Sequence, residues 1–181
     1  MFNSLFDGAP VDIMQMLDAR ERRAHTQQQL LEQFNPCVLV SITLNIPGPV
    51  KNSEAITTVF ASVISELDEA LLPFEKLQQE DFSLGTGMEF YRVLRADALS
   101  VKRACTEFEE RHSLGRLLDI DVVEMAGETP TPISRTALGM PPRRCFICNE
   151  DAKVCARSRK HTVLEMQEHI AHMIAAYTST Q

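Results

Sequence analysis

Two stretches of the chain alternate apolar and polar residues with a period of two. In residues 38–45, Val38, Val40, Ile42 and Leu44 share one parity, and Leu39, Ser41, Thr43 and Asn45 the other. In residues 115–123, Leu118, Ile120 and Val122 alternate with Asp119, Asp121 and Val123. This period predicts strands with one face on a core. Residues 82–95 predict a hairpin or two short strands around Gly85-Thr86-Gly87, the better strand running from Met88 to Arg95. A turn at Ala126-Gly127-Glu128 predicts that residues 131–136 return antiparallel to 116–125.

Elsewhere the apolar spacing is helical. Ile56, Val59, Phe60, Val63, Ile64, Leu67 and Leu71 form a full stripe after Asn52 or Ser53, either of which can cap a helix. Asp97 precedes a helix to about His112, with Ala98, Val101, Cys105 and Phe108 on one face. Val163, Met166, Ile170, Met173, Ile174 and Tyr177 give the tail a stripe expected to be core. Residues 12–34 predict a helix capped by Asp12, apolar at Ile13, Met16 and Leu17 and again at Leu30, Leu31 and Phe34. Its middle, Arg20 to Gln29, is too polar for core. It is either a solvated face or a surface that meets a ligand or partner. The economical architecture is one domain over residues 1–181, α/β (α+β), with a mostly antiparallel or mixed sheet flanked by helices.

Composition narrows the class. An apolar fraction of 44% in 181 residues suits a globular core, and no apolar run approaches membrane length. No secretory leader pattern opens the chain. Five cysteines, three of them within residues 145–155, argue against a disulfide framework and for a reducing compartment, so a cytoplasmic location is expected. Net charge is −7, yet residues 135–161 carry seven cations against Glu150 and Asp151. A basic patch on an acidic protein points to a specific anion rather than to nucleic acid.

Three constellations carry candidate chemistry. Asp119 and Asp121 lie on one strand face, roughly 6.5–7 Å apart along the backbone. Such carboxylates repel unless a cation sits between them, and Mg²⁺ suits hard oxygen ligands. The alternative is a solvated strand face. The junction Pro47-Gly48-Pro49-Val50-Lys51 before a helix N-terminus is either an anion site or a plain turn. Cys145, Cys148, Cys155 and His161 can bind zinc as a Cys3His set, but the spacing fits no standard finger. Cys148 and Cys155, seven apart, would share a helix face as packed free thiols. Packed thiols are the expected state, with zinc and a redox or nucleophilic role as alternatives.

Several motifs in order resemble one family. They are Pro47-Gly48-Pro49-Val50-Lys51, His112 to Val122, Ile133-Ser134-Arg135, and Pro141-Pro142-Arg143-Arg144-Cys145-Phe146-Ile147-Cys148 followed by Ala152-x2-Cys155-Ala156-Arg157. Arg20-Glu21-x-Arg23 adds to them. Together they resemble the holo-citrate lyase synthase family, also called apo-citrate lyase phosphoribosyl-dephospho-CoA transferase, from near residue 16 to about residue 170. The resemblance implies a nucleotidyltransferase-like Asp-x-Asp strand and transfer of 2′-(5″-triphosphoribosyl)-3′-dephospho-CoA to a serine of the apo acyl-carrier (gamma) subunit of citrate lyase, with loss of pyrophosphate. Asp119 and Asp121 would hold Mg²⁺ and carry the catalysis. Lys51, Arg116, Arg135, Arg143, Arg144 and Arg157 would bind the anionic donor, since phosphoryl chemistry needs cations on its oxygens and arginine's fork suits them. The basic segment can also dock an acidic carrier. The general base stays open between Asp121 and His112. Alternative functions are the same transfer to the malonate decarboxylase carrier, a non-catalytic carrier-protein adaptor, and a small zinc module. No membrane or nucleic-acid partner is expected.

Overall fold

The computed structural model describes residues 5–180. In chain order the elements are α1 (Ile13–Gln33), β1 (Val38–Leu44), α2 (Glu54–Ala70), β2 (Glu75–Leu84), β3 (Gly87–Arg95), α3 (Ala98–Arg111), β4 (Leu118–Ala126), β5 (Thr129–Pro132), α4 (Ala152–Ser158) and α5 (Val163–Thr178). The strands form one sheet in the order β2-β3-β1-β4-β5, every neighbouring pair antiparallel. From β1 through α2, β2, β3 and α3 to β4 the path is a split βαβ arrangement, in which β3 inserts between β1 and β2.

Alternation assigns each face. Val38, Val40, Ile42, Phe90, Leu94, Leu118, Ile120 and Val122 point into the main core, met by Phe60, Val63 and Leu67 of α2, Val101 and Cys105 of α3, and Ile170 and Ile174 of α5. The opposite face has a smaller core, where Leu30 and Leu31 of α1 cover Leu39, Tyr91, Val93 and Val123. Helix starts follow the sequence signals. Asp12 forms a capping box with Gln15, Ser53 accepts from the Ile56 amide and Asp97 from that of Ser100.

Four expectations change. Strand β2 begins at Glu75, where the sequence shows no alternation, because an edge strand bound only to β3 is held by the ladder and leaves its polar side chains in water. The return strand is Thr129–Pro132 rather than 131–136, and Arg135–Leu138 is a 3-10 turn. Proline at 130 and 132 suits such a short edge. Residues 115–117 are a 3-10 turn, and the Asp-x-Asp strand starts at Leu118. Cys148 lies in a turn, off the helix that carries Cys155.

The entry to β4 depends on Gly115. A Cβ there would lie 2.6 Å from the Glu109 carbonyl oxygen and 2.8 Å from its Cα. Glycine therefore lets the chain fold directly back on the end of α3. We predict that Gly115→Ala costs about 1–3 kcal/mol of stability through overpacking. Urea unfolding measures it, and an unchanged midpoint would mean that the backbone relaxes freely.

Candidate functional site

The sheet face under α1 changes character along its length. Past the apolar patch, the register aligns Asp121 with Ser41 and Tyr91, and Asp119 with Thr43 and Glu89. The polar middle of α1 meets this end. Arg22 and Arg23 donate to Glu89, at 2.8 and 3.2 Å, and Gln27 donates to Ser41 at 2.9 Å. Glu89, 3% exposed, also accepts from the Tyr91 hydroxyl. This part of α1 is thus neither core nor wholly solvated. Asp119 and Asp121 remain exposed beside it. The Asp121 carboxyl is raised above the usual carboxylate range, first by the protein volume around it and second by the Asp119 charge.

At residues 118–122 the outer edge of β4 has no strand partner, since β5 pairs only with 123–126. Side chains satisfy that edge. Lys102 donates to the Ile120 carbonyl at 3.0 Å, and Glu109 accepts from the Ile120 amide at 3.4 Å. Arg143 donates to the Leu118 carbonyl, to Glu109 at 2.7 Å and to Asp119 at 3.3 Å. Arg135 is held by Glu109 and Glu110. Burial pushes the Glu109 carboxyl up, against the pull of Arg143, Lys102 and Arg135.

Beyond Arg143 opens a cleft of about 630 Å³. Arg116, Arg143, Arg144 and Arg159 line it, with Phe146, Val163 and Met166 supplying apolar wall and Asn45 and Pro47 its sheet side. Arg116 makes no ion pair among the described residues. Burial and the nearby Arg143 and Arg135 lower its affinity for a proton, the expected state of a cation facing other cations. Val163 is 44% exposed, so the first turns of the tail stripe line the cleft, while Ile170, Ile174 and Tyr177 are buried in the core and Met173 packs against it. Lys51 stands apart: its ammonium donates to the Ile46 carbonyl at 2.8 Å. Arg157 is exposed and does not line the cleft, and Arg135 is engaged with glutamates. A hollow of about 380 Å³ is lined by Phe108 and by His112, the second candidate base, but by none of the other expected site residues.

The remaining wall is sulfur-rich. The ligand atoms of Cys145, Cys148, Cys155 and His161 all lie within 4.8 Å of one another, a group able to hold a metal ion. The Cys145 sulfur accepts from the Ile147 amide at 3.4 Å, and the His161 Nε2 is buried without a hydrogen-bond partner. Burial pushes the Cys155 thiol up to about 12, with the two neighbouring sulfurs adding to it. Packed free thiols on one helix face do not describe this convergence.

Residues 11–177 match the family described as apo-citrate lyase phosphoribosyl-dephospho-CoA transferase. The chain belongs to that family. A probable apo-citrate lyase phosphoribosyl-dephospho-CoA transferase of Streptococcus pyogenes serotype M18 (strain MGAS8232) is 39% identical over 97% of this chain and 91% of its own length. One from Vibrio cholerae serotype O1 (strain M66-2) is 34% identical over 93% and 94%. Protein CitXG of Leuconostoc mesenteroides subsp. cremoris is 36% identical over 92% of this chain and 36% of its own length, so there the transferase-like part is one portion of a longer protein. No helix among the described residues is long and apolar enough to cross a membrane.

Within this transferase fold, sequence reasoning missed Glu89, Glu109 and Arg159. Glu109 had a signal: with Lys102 and Cys105 it places charges at helical spacing on an inward face. Glu89 had none, because its partners lie 66 and 67 residues away.

Divalent cations should bind the Asp pair more weakly as pH falls, with the loss starting above the usual carboxylate range. A raised pKa means that the proton competes with the cation up to a higher pH. Mn²⁺ titration across a pH series measures this. In Asp119→Asn the onset should move to lower pH, because one cause of the raised value is gone, and pH-independent binding would remove Asp121 from the site.

Proposed function

We propose that this chain transfers the phosphoribosyl-dephospho-CoA group from its triphosphate donor to a serine of the apo acyl-carrier subunit of citrate lyase. Family membership gives the reaction class, and the single observation that carries the site is Arg143. It touches Asp119 and lines the arginine cleft at once, so an anionic donor in the cleft has its phosphates beside the Asp pair. The serine oxygen attacks the phosphorus next to the ribosyl 5″ oxygen, the bond to the β-phosphate breaks, and pyrophosphate leaves. Arg116, Arg143 and Arg144 bind the phosphate oxygens, and the apolar wall of Phe146, Val163 and Met166 takes the uncharged part of the donor. Arg135 has a supporting part, by holding Glu109, while Lys51 and Arg157 lie off the cleft and are assigned no contact with the donor.

Mg²⁺ is proposed at Asp119 and Asp121, where paired hard oxygens on one face fit it, and it would supply charge neutralisation on the phosphates. The serine proton passes to Asp121 or to His112; Asp121 is the candidate that lies on this face, two residues from Asp119. His112 is the less supported base, because its Nδ1 accepts from the Leu114 amide and its Nε2 meets Glu66. The thiolate-and-imidazole group has the donor chemistry of zinc rather than of magnesium, so zinc is proposed there. Citrate lyase is the acceptor that the family name specifies, which leaves the malonate decarboxylase carrier and the adaptor reading without support.

Incubation of the protein with Mg²⁺, the triphosphoribosyl donor and the apo-carrier subunit, followed by mass spectrometry of the carrier, should give the mass of one prosthetic group; an unmodified carrier refutes the proposal. Asp119→Asn and Asp121→Asn should each abolish transfer with the fold intact, and near-normal turnover in either variant would remove that carboxylate from the mechanism. Charge-assisted hydrogen bonds contribute roughly 1.5–3 kcal/mol each. Arg116→Ala should therefore raise the donor KM about ten- to a hundredfold. Its stability should hold, because Arg116 has no ion pair to lose among the described residues. An unchanged donor KM would place the donor elsewhere.

A further inference from the structure

We propose that a zinc ion on Cys145, Cys148, Cys155 and His161 is the structural centre of the donor cleft, and that the cleft wall is not formed without it. The inference rests on the cleft being the donor site.

Between Val123 and Ile170 the one buried apolar residue is Cys155. A segment of that length has no hydrophobic core of its own, and short folds in that position rely on a metal or a cross-link. From Gly139 to Thr162 its regular structure is slight: an isolated bridge between Arg144 and Asp151, and the seven-residue α4. Asn149 and Arg159 adopt left-handed backbone, with φ of 59° and 49°. Each stands next to a ligand or two residues from one, and a non-glycine residue stays there only where its surroundings hold it.

What sits at the centre is the ligand group. Sulfur-to-sulfur distances are 3.6 Å from Cys155 to Cys145 and 3.9 Å from Cys155 to Cys148. Tetrahedral zinc with Zn–S near 2.3 Å sets its sulfurs about 3.8 Å apart. The buried, unpartnered His161 Nε2 is the fourth donor. With four protein ligands no position stays open for substrate, so the site is structural rather than catalytic. Its place in the chain makes it part of the cleft. Arg143, Arg144 and Phe146 lead into the Cys145–Cys148 turn, Arg159 joins α4 to His161, and Val163 and Met166 follow directly. One ion would therefore tie together three segments whose other links are the Arg144–Asp151 bridge, a few backbone hydrogen bonds and the Lys160–Glu150 ion pair.

The test uses the full-length protein. Elemental analysis should find one zinc per chain, and Cys148→Ser should lose it, while Cys37→Ser keeps it. Wild-type protein stripped by a chelator and then reloaded covers the case in which the serine variant fails to fold. On stripping, amide exchange should rise through residues 139–162 and stay low in β1 and β4. Binding of dephospho-CoA should weaken tenfold or more and return with zinc, while Mn²⁺ binding at the Asp pair is unchanged. Protein that neither carries nor takes up zinc overturns the proposal, as does stripped protein with unchanged exchange and unchanged dephospho-CoA binding. Metal content and exchange do not depend on turnover. A zinc-ordered segment in a protein that modifies no carrier therefore counts against the transfer reading alone.

Discussion

The Glu109 carboxylate is the interaction on which the site depends. It is 4% exposed at the open edge of β4, where it takes the Ile120 amide and two arginines from the segment after β5. Without it, Lys102, Arg135 and Arg143 would converge with only the more exposed Glu110 and Asp119 to balance them. Removing one partner of such a buried cluster commonly costs about 3–5 kcal/mol, far more than the pair adds over an apolar replacement. The cluster therefore fixes geometry more than it adds stability. It ends β4 without another strand and sets Arg143 between Asp119 and the cleft.

The two sheet faces divide the work. One is closed by α2, α3 and α5 over a continuous apolar core, which makes the sheet rigid. The other is apolar only where Leu30 and Leu31 cover it and then becomes a polar platform bearing Glu89, Asp119 and Asp121. Carboxylates on a strand hold their spacing because the pleat holds it, while the cations that face them come from a helix and from loops. Alignment of charge thus rests on a stiff element, and adaptability on the elements around it.

Much of this was legible in the chain. Strict alternation located β1 and β4, helical stripes with Asp12, Ser53 and Asp97 located α1, α2 and α3, and ordered motifs indicated the family. These signals are local: a period, a cap or a short spacing is complete within a few residues. Strand β2 was not legible in its first half because its order comes from the β3 ladder rather than from burial of its own side chains. The tail stripe was misread at Val163 and Met166, since a helical stripe reports an apolar face but not whether a core or a cleft lies opposite.

By itself the sequence determined which residues carry charge, which strand presents two carboxylates together, and that three cysteines and a histidine lie close along the chain. Only the tertiary structure decided who meets whom. It brought Arg22 and Arg23 to Glu89, put Arg143 across Glu109 and Asp119, and converged Cys145, Cys148, Cys155 and His161 where a shared helix face had been expected. The reason is physical. Periodicity encodes the direction of a side chain relative to its own element, whereas an ion pair or a metal site needs atoms from different elements within a few ångströms, and packing alone sets that distance.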